Sequence, residues 1–141
     1  MTSQDGEPLW EYVVELPKVR AFALAVHDRF GAADPPRLPP TFPVCATVEY
    51  VTRLIVEQLK LDRRRVVHGE QEYEYIRPLR VGDRLLCRAR VVEDFVKTRS
   101  RGGEMRFVVT ETDMCDALSG ELVLRERSTA LVIPTAEEEG V

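Results

Sequence analysis

A chain of 141 residues with 44% hydrophobic and 31% charged side chains is sized for one globular domain, and its composition is not that of a disordered one. Twenty Lys and Arg against 24 Asp and Glu leave a net charge of -4, which argues against a general nucleic-acid binder, and no apolar run approaches the roughly 20 residues of a membrane span. Cys45, Cys87 and Cys115 are an odd number at wide spacing, so they suggest neither a disulfide framework nor a zinc or other metal site and are expected to be buried small hydrophobes. The opening residues lack the basic stretch and apolar core of a signal peptide, so a cytoplasmic location is expected. Residues 1–8 read as a polar leader and 135–141 as an acidic tail, which leaves a domain over 9–134.

Trp10 to Leu16 is short and β-prone. Pro17 suits the first turn of a helix, and Val19, Phe22, Ala23 and Val26 continue it at helical spacing. Gly31 and Pro35, Pro36, Pro39, Pro40 and Pro43 forbid regular structure until about Val44. A second helix is predicted from Thr47 to Leu59, with Val48, Val51, Ile55 and Leu59 as its apolar stripe and Glu49, Arg53 and Glu57 on another side. Its β-branched content is high, so packing must hold it. Four strands follow. Val66 to Ile76 sets Val67, Tyr73 and Tyr75 against His68, Glu70, Glu72 and Glu74. Leu85, Cys87, Ala89 and Val91 alternate with Arg88 and Arg90, and Met105–Met114 and Glu121–Ile133 complete a predicted meander. This order fits an α+β class: a single hot-dog domain with an antiparallel sheet wrapped around a central helix.

The run His68-Gly69-Glu70-Gln71-Glu72-Tyr73-Glu74-Tyr75-Ile76-Arg77-Pro78-Leu79-Arg80-Val81-Gly82-Asp83, with Leu38-Pro39-Pro40-Thr41-Phe42-Pro43 upstream, resembles MaoC-like dehydratases, specifically their N-terminal, type-I-fatty-acid-synthase-like half. The resemblance covers about Leu9 to Ile133. It implies work on (R)-3-hydroxyacyl or trans-2-enoyl chains carried on coenzyme A or on the phosphopantetheine of acyl carrier protein, with no further cofactor. Active members hold an Asp and a His in an Asp-x-Asn-Pro-x-His motif, because dehydration needs an acid and a base on the same substrate face. Here Asp28 falls near the place of that Asp, but Arg29, Phe30, Gly31, Ala32 and Ala33 follow it, and the chain's only histidines are His27 and His68. The dyad is missing. The chain therefore resembles the non-catalytic subunit of heterodimeric (3R)-hydroxyacyl-carrier-protein dehydratases, which implies a catalytic MaoC-like hot-dog partner or a second copy of itself. The pairing strand would be Val66 to Ile76.

Candidate residues each carry two readings. The helix start at Cys45, Ala46 and Thr47 could offer free N–H groups to a thioester carbonyl, or it is an ordinary helix start with Thr47 as N-cap. His68 is an acid–base group or a plain strand histidine. Glu49 is the carboxylate of an independent homodimeric thioesterase, or a first-turn acid that complements the helix dipole. Arg63, Arg64 and Arg65, with Arg99, Arg101 and Arg106, meet coenzyme A phosphates or an acidic carrier protein, or are simply solvated. A non-catalytic acyl-thioester binding protein is a third function. Neither nucleic acid nor membrane is expected as a partner.

Overall fold

The computed structural model describes residues 7–135. Residues 1–6 and 136–141, most of the expected leader and tail, lie outside them. The elements run β1 (Leu9–Val13), α1 (Leu16–Ala25), a 3-10 turn (Arg29–Ala32), α2 (Val44–Arg53) continued by a π turn (Leu54–Gln58), a 3-10 turn (Arg63–Arg65), β2 (Val66–Tyr75), β3 (Arg84–Thr98), β4 (Glu104–Asp116) and β5 (Leu122–Val132). All five strands form one antiparallel sheet in the order β1-β3-β4-β5-β2, with α2 packed on its inner face. This is the expected hot-dog architecture.

The sequence pattern misplaced three features of it. Only β3, β4 and β5 form a meander, because β2 lies beyond β5 at the far edge and the chain crosses back from there to β3. The Arg77-Pro78-Leu79-Arg80-Val81-Gly82-Asp83 turn makes that crossing. Arg77 donates to both carboxylate oxygens of Asp83 at 2.8 and 3.2 Å, and the Arg80 N–H donates to Asp83 at 2.8 Å. Gly82 takes φ +94°, which disfavours any other residue, and its N–H ties the turn to Val14. Secondly, α2 begins at Val44, three residues before the expected N-cap. Pro43 has helical backbone angles and supplies the fixed φ that starts a helix, so Thr47 is already inside it. Thirdly, the buried stripe of this helix is Ala46, Thr47, Val51, Leu54 and Ile55, whereas Val48 is 55% exposed.

Trp10 fixes α2 to the sheet. Its indole N–H donates to the Ala46 carbonyl at 2.8 Å, and its ring stacks on Tyr50 with centroids 4.2 Å apart. Beneath α2 the inner face is built in cross-strand rows, such as Cys87, Met114, Leu124 and Tyr75. Cys87 is buried as expected, but Cys115 is only half-buried and Cys45, near the start of α2, is exposed. No helix among the described residues is long and apolar enough to cross a membrane.

Candidate functional site

A cleft of about 470 Å³ opens between α2 and the β2–β5 edge of the sheet. Its upper wall is aliphatic, with Val44, Val48 and Val51 from α2 and Ile55 from the π turn that continues it. Its floor comes from β2 and β5 and sets the apolar Val66 and Ala130 beside the polar side chains of His68, Gln71, Glu126 and Ser128. This floor is set by a local irregularity. A bulge between His68 and Glu70 leaves Gly69 unpaired, so His68 pairs with Ala130 while Glu70 pairs with Thr129. A Cβ on Gly69 would stand 2.3 Å from the end of the Leu131 side chain, which would have to shift to admit it. The extra residue shifts the strand's alternation. His68 therefore shares its face with Gln71, Tyr73 and Tyr75 rather than with Glu70 and Glu72, and Val67 leaves the face of the tyrosines.

Four side chains meet on this floor. The Thr47 hydroxyl of α2 donates to Glu126 Oε2 of β5 at 2.9 Å. The His68 Nε2–H donates to Gln71 Oε1 at 2.8 Å. Gln71 then turns its NH2 group toward Glu126. The amide steadies the Glu126 carboxylate, yet its buried nitrogen does not reach hydrogen-bonding geometry with any partner. Glu126 itself is 2% exposed. Burial raises its pKa above the ordinary glutamate value, against the opposing pull of Thr47, Gln71 and the more distant charge of His68. Among the described residues no arginine or lysine forms an ion pair with it. Beside it on β2, burial and the Glu126 charge raise the pKa of Tyr73 as well. The Tyr75 hydroxyl donates to the Pro40 carbonyl at 2.7 Å and so pins the proline-rich segment at the start of α2.

The structure brings together only part of what the sequence singled out. Thr47 and His68 reach the cleft. Thr47 does so as the clamp on Glu126, not as a cap. The N–H groups of Cys45 and Ala46 are not free, since they donate to Phe42 and Pro43 at 3.0 and 2.9 Å, and the Ala46 carbonyl takes the indole of Trp10. Glu49 is exposed and ion-paired with Arg53 on the outer side of α2. Asp28 caps the 3-10 turn after α1 by accepting the Phe30 N–H at 2.9 Å, away from the cleft; its neighbour His27 is exposed. Arg64 pairs with Asp62 at 3.0 Å and Arg106 with Asp94 at 2.6 Å, so these two cations are already engaged. Sequence reasoning missed Glu126 and Gln71. The available signals were an isolated glycine inside an alternating strand and a glutamate on the same parity as Leu124 and Ala130.

The family described as FAS1-like, dehydratase domain region, matches residues 2–126. A UPF0336 protein of Saccharopolyspora erythraea is 34% identical, with 93% of this chain and 88% of that protein covered. A UPF0336 protein of Streptomyces griseus is 36% identical over 93% of this chain and 91% of its own. Among solved structures, the HadBC (3R-hydroxyacyl-ACP dehydratase) complex of Mycobacterium tuberculosis aligns with a TM-score of 0.68 at 21% identity, covering 93% of this chain and 99% of that one. The ChsH1-ChsH2 complex of the same organism aligns at 0.67 and 17% identity, covering 93% and 89%. A MaoC-like dehydratase reaches 0.73 at 21% identity, with 92% of this chain matching 42% of a longer one. With its hot-dog sheet and a family match over most of its length, this chain belongs to the FAS1-like dehydratase-region family.

Proposed function

We propose that this protein is the substrate-cleft subunit of a MaoC-like (R)-3-hydroxyacyl-thioester dehydratase, or enoyl-thioester hydratase, and that a hot-dog partner supplies the catalytic Asp and His. The observation that carries this reading is the cleft. It opens along the free edge strand β2, its upper wall is aliphatic, and Asp28 stands outside it. An edge strand with unpaired backbone groups is where a partner's sheet can continue, and the partner would then face the open side of the cleft. His68 and Glu126 do not replace the missing pair, because His68 is oriented by the neutral Gln71 amide rather than by a carboxylate. Solved relatives whose names describe two-component complexes support the same assembly. Acyl chains on coenzyme A or acyl carrier protein are the substrates proposed here, with no cofactor beyond the carrier, and the cytoplasm is the proposed location. The thioesterase alternative needs Glu49 in the cleft, and Glu49 is instead salt-bridged on the exposed side of α2.

The test is hydration of crotonyl- and longer enoyl-coenzyme A by the chain alone and after mixing with a short hot-dog subunit that carries Asp-x-Asn-Pro-x-His. The expected result is negligible turnover alone and a gain of at least about a hundredfold in the mixture, the scale of supplying a positioned acid and base. Turnover by the chain alone that equals the mixture would overturn the proposal.

A further inference from the structure

We propose that the free edge of β2 selects its partner by charge: it takes a hot-dog edge strand that carries Lys or Arg at alternate outward positions, and it rejects a second copy of this chain. The inference rests on the substrate-cleft reading above and adds the chemistry of the strand that meets β2.

Cross-strand rows on the outer face of the sheet alternate in sign. From β3 to β2 one row runs Arg88, Asp113, Arg125 and Glu74, and the next Arg90, Glu111, Arg127 and Glu72. Each row ends in an acid at the free edge, so the position that continues it on another chain calls for a cation. The cations nearest that edge are turned away from it. Arg125 reaches Asp113 at 2.6 Å and Glu111 at 3.4 Å, while Arg127 reaches Glu93 at 3.2 Å and Glu111 at 3.7 Å. Of the acids that act on Arg125, Glu74 contributes least. Glu70, Glu72 and Glu74 are all exposed, and among the described residues none of them forms an ion pair.

Apolar side chains bracket this acidic run. Val67 is 40% exposed near the start of β2 and Ile76 is 58% exposed just past its end. In an antiparallel, two-fold pairing of two copies, the register that brings Val67 near Ile76 also sets Glu72 against Glu72 and Glu70 against Glu74. Sliding the strands does not remove the conflict. Glu70, Glu72 and Glu74 share one face after the bulge, so every face-matched register that overlaps the 70–74 stretches opposes at least one glutamate to another. Like charges directly opposite are destabilising. The backbone groups along β2 serve any strand equally, so the side chains must distinguish partners. A strand with cations opposite the glutamates is attracted by the same charges that repel a second copy.

The experiment is sedimentation of the intact chain at low and high salt, alone and mixed in equal amounts with a charge-reversed copy, Glu70→Lys/Glu72→Lys/Glu74→Lys. The mixture is expected to associate at least about tenfold more tightly than wild type alone, and salt should narrow that gap. The lysines would stand beside Arg125 and Arg127, so a neutral copy, Glu70→Gln/Glu72→Gln/Glu74→Gln, supplies a comparison without that repulsion. Its self-association should exceed that of wild type by about tenfold, through relief of the opposed glutamates. Wild type that self-associates as tightly as the neutral copy would overturn the inference, whether or not the lysine copy folds. A mixture of folded copies no tighter than wild type alone would overturn it as well. Neither result touches the subunit assignment, which is read separately as enoyl-thioester turnover.

Discussion

The two faces of the sheet treat their carboxylates in opposite ways. On the outer face the cross-strand rows alternate in charge from strand to strand. Arg88, Asp113, Arg125 and Glu74 form one row, and Arg90, Glu111, Arg127 and Glu72 the next. Arg90 reaches Asp113 at 3.0 Å and Arg125 reaches it at 2.6 Å, while Glu111 takes contacts from Arg90, Arg125 and Arg127. One residue away along β5, on the inner face, Glu126 sits in the row Ala89, Thr112, Glu126 and Tyr73 and is met by the Thr47 hydroxyl and the Gln71 amide in place of a cation's ion pair. Partial burial pushes the pKa of Asp113 up, but the hydrogen bonds from Arg125 and Arg90 outweigh it and hold the value below the usual aspartate range. Burial of Glu126 is opposed more weakly, by the hydrogen bonds of Thr47 and Gln71 and the charge of His68, and its pKa rises. The same side-chain type is therefore held by arginines and kept charged on one face, and held by uncharged donors and pushed toward its neutral form on the other.

Three experiments would break or sharpen this contrast. The largest effect is expected from Thr47→Val, which keeps the shape of α2 and removes the one hydroxyl that serves Glu126. A loss of roughly 2 kcal/mol at neutral pH is expected in urea unfolding, because a buried acceptor is left without its donor. A loss within error would show that Glu126 has another partner in solution.

Next is the pH dependence. A folded-state pKa above the unfolded value means that the native chain holds a proton the unfolded chain has released. The Glu126 contribution is thus fully present below the ordinary glutamate pKa and is lost as pH rises through the raised one. Asp113 has the opposite sign: its contribution is present above the ordinary aspartate pKa and is lost as pH falls through the lowered one. Glu126→Gln should therefore flatten the decline of stability toward higher pH and leave the acid limb intact. A variant that unfolds in parallel with wild type at every pH would place Glu126 in water.

The smallest effect belongs to the outer face. Asp113→Asn should cost below about 1 kcal/mol, and the loss should shrink as salt is added, since the network is partly open to solvent. A larger, salt-independent loss would mean that the outer rows are covered, as they would be if another chain packed on them.

Much of this was legible in the residues. The alternation of Leu85, Cys87 and Ala89 against Arg88 and Arg90 places β3 and its two faces directly, and the turn around Gly82 marks where β3 begins. The central helix was legible in type but not in start, because threonine is a common cap and Thr47 is instead occupied by a glutamate 79 positions further along the chain. The face of His68 was hidden because period-2 counting assumes a regular strand, and one unpaired glycine reverses it. Glu126 shares the parity of Leu124 and Ala130, but that signal is weak because Val123, on the other parity, is buried as well. Local pattern gives elements; long-range pairing decides which polar side chain is inside.

The strand order also governs how the molecule is reached from the unfolded chain. The β3–β4 and β4–β5 pairings are hairpins whose residues are close in sequence, as Thr98 is to Glu104. The flanking pairings close long loops, with Leu9 meeting Arg88 and Val66 meeting Val132. Loop closure is slow to be repaid by contacts, so the three central strands should assemble first and β1 and β2 should dock on them afterwards. The rim that would receive a second chain is then among the last parts of the sheet to form. During synthesis the exposed border would belong transiently to β5, a strand that is interior in the finished fold, and that interval is when mispairing with another nascent chain is easiest.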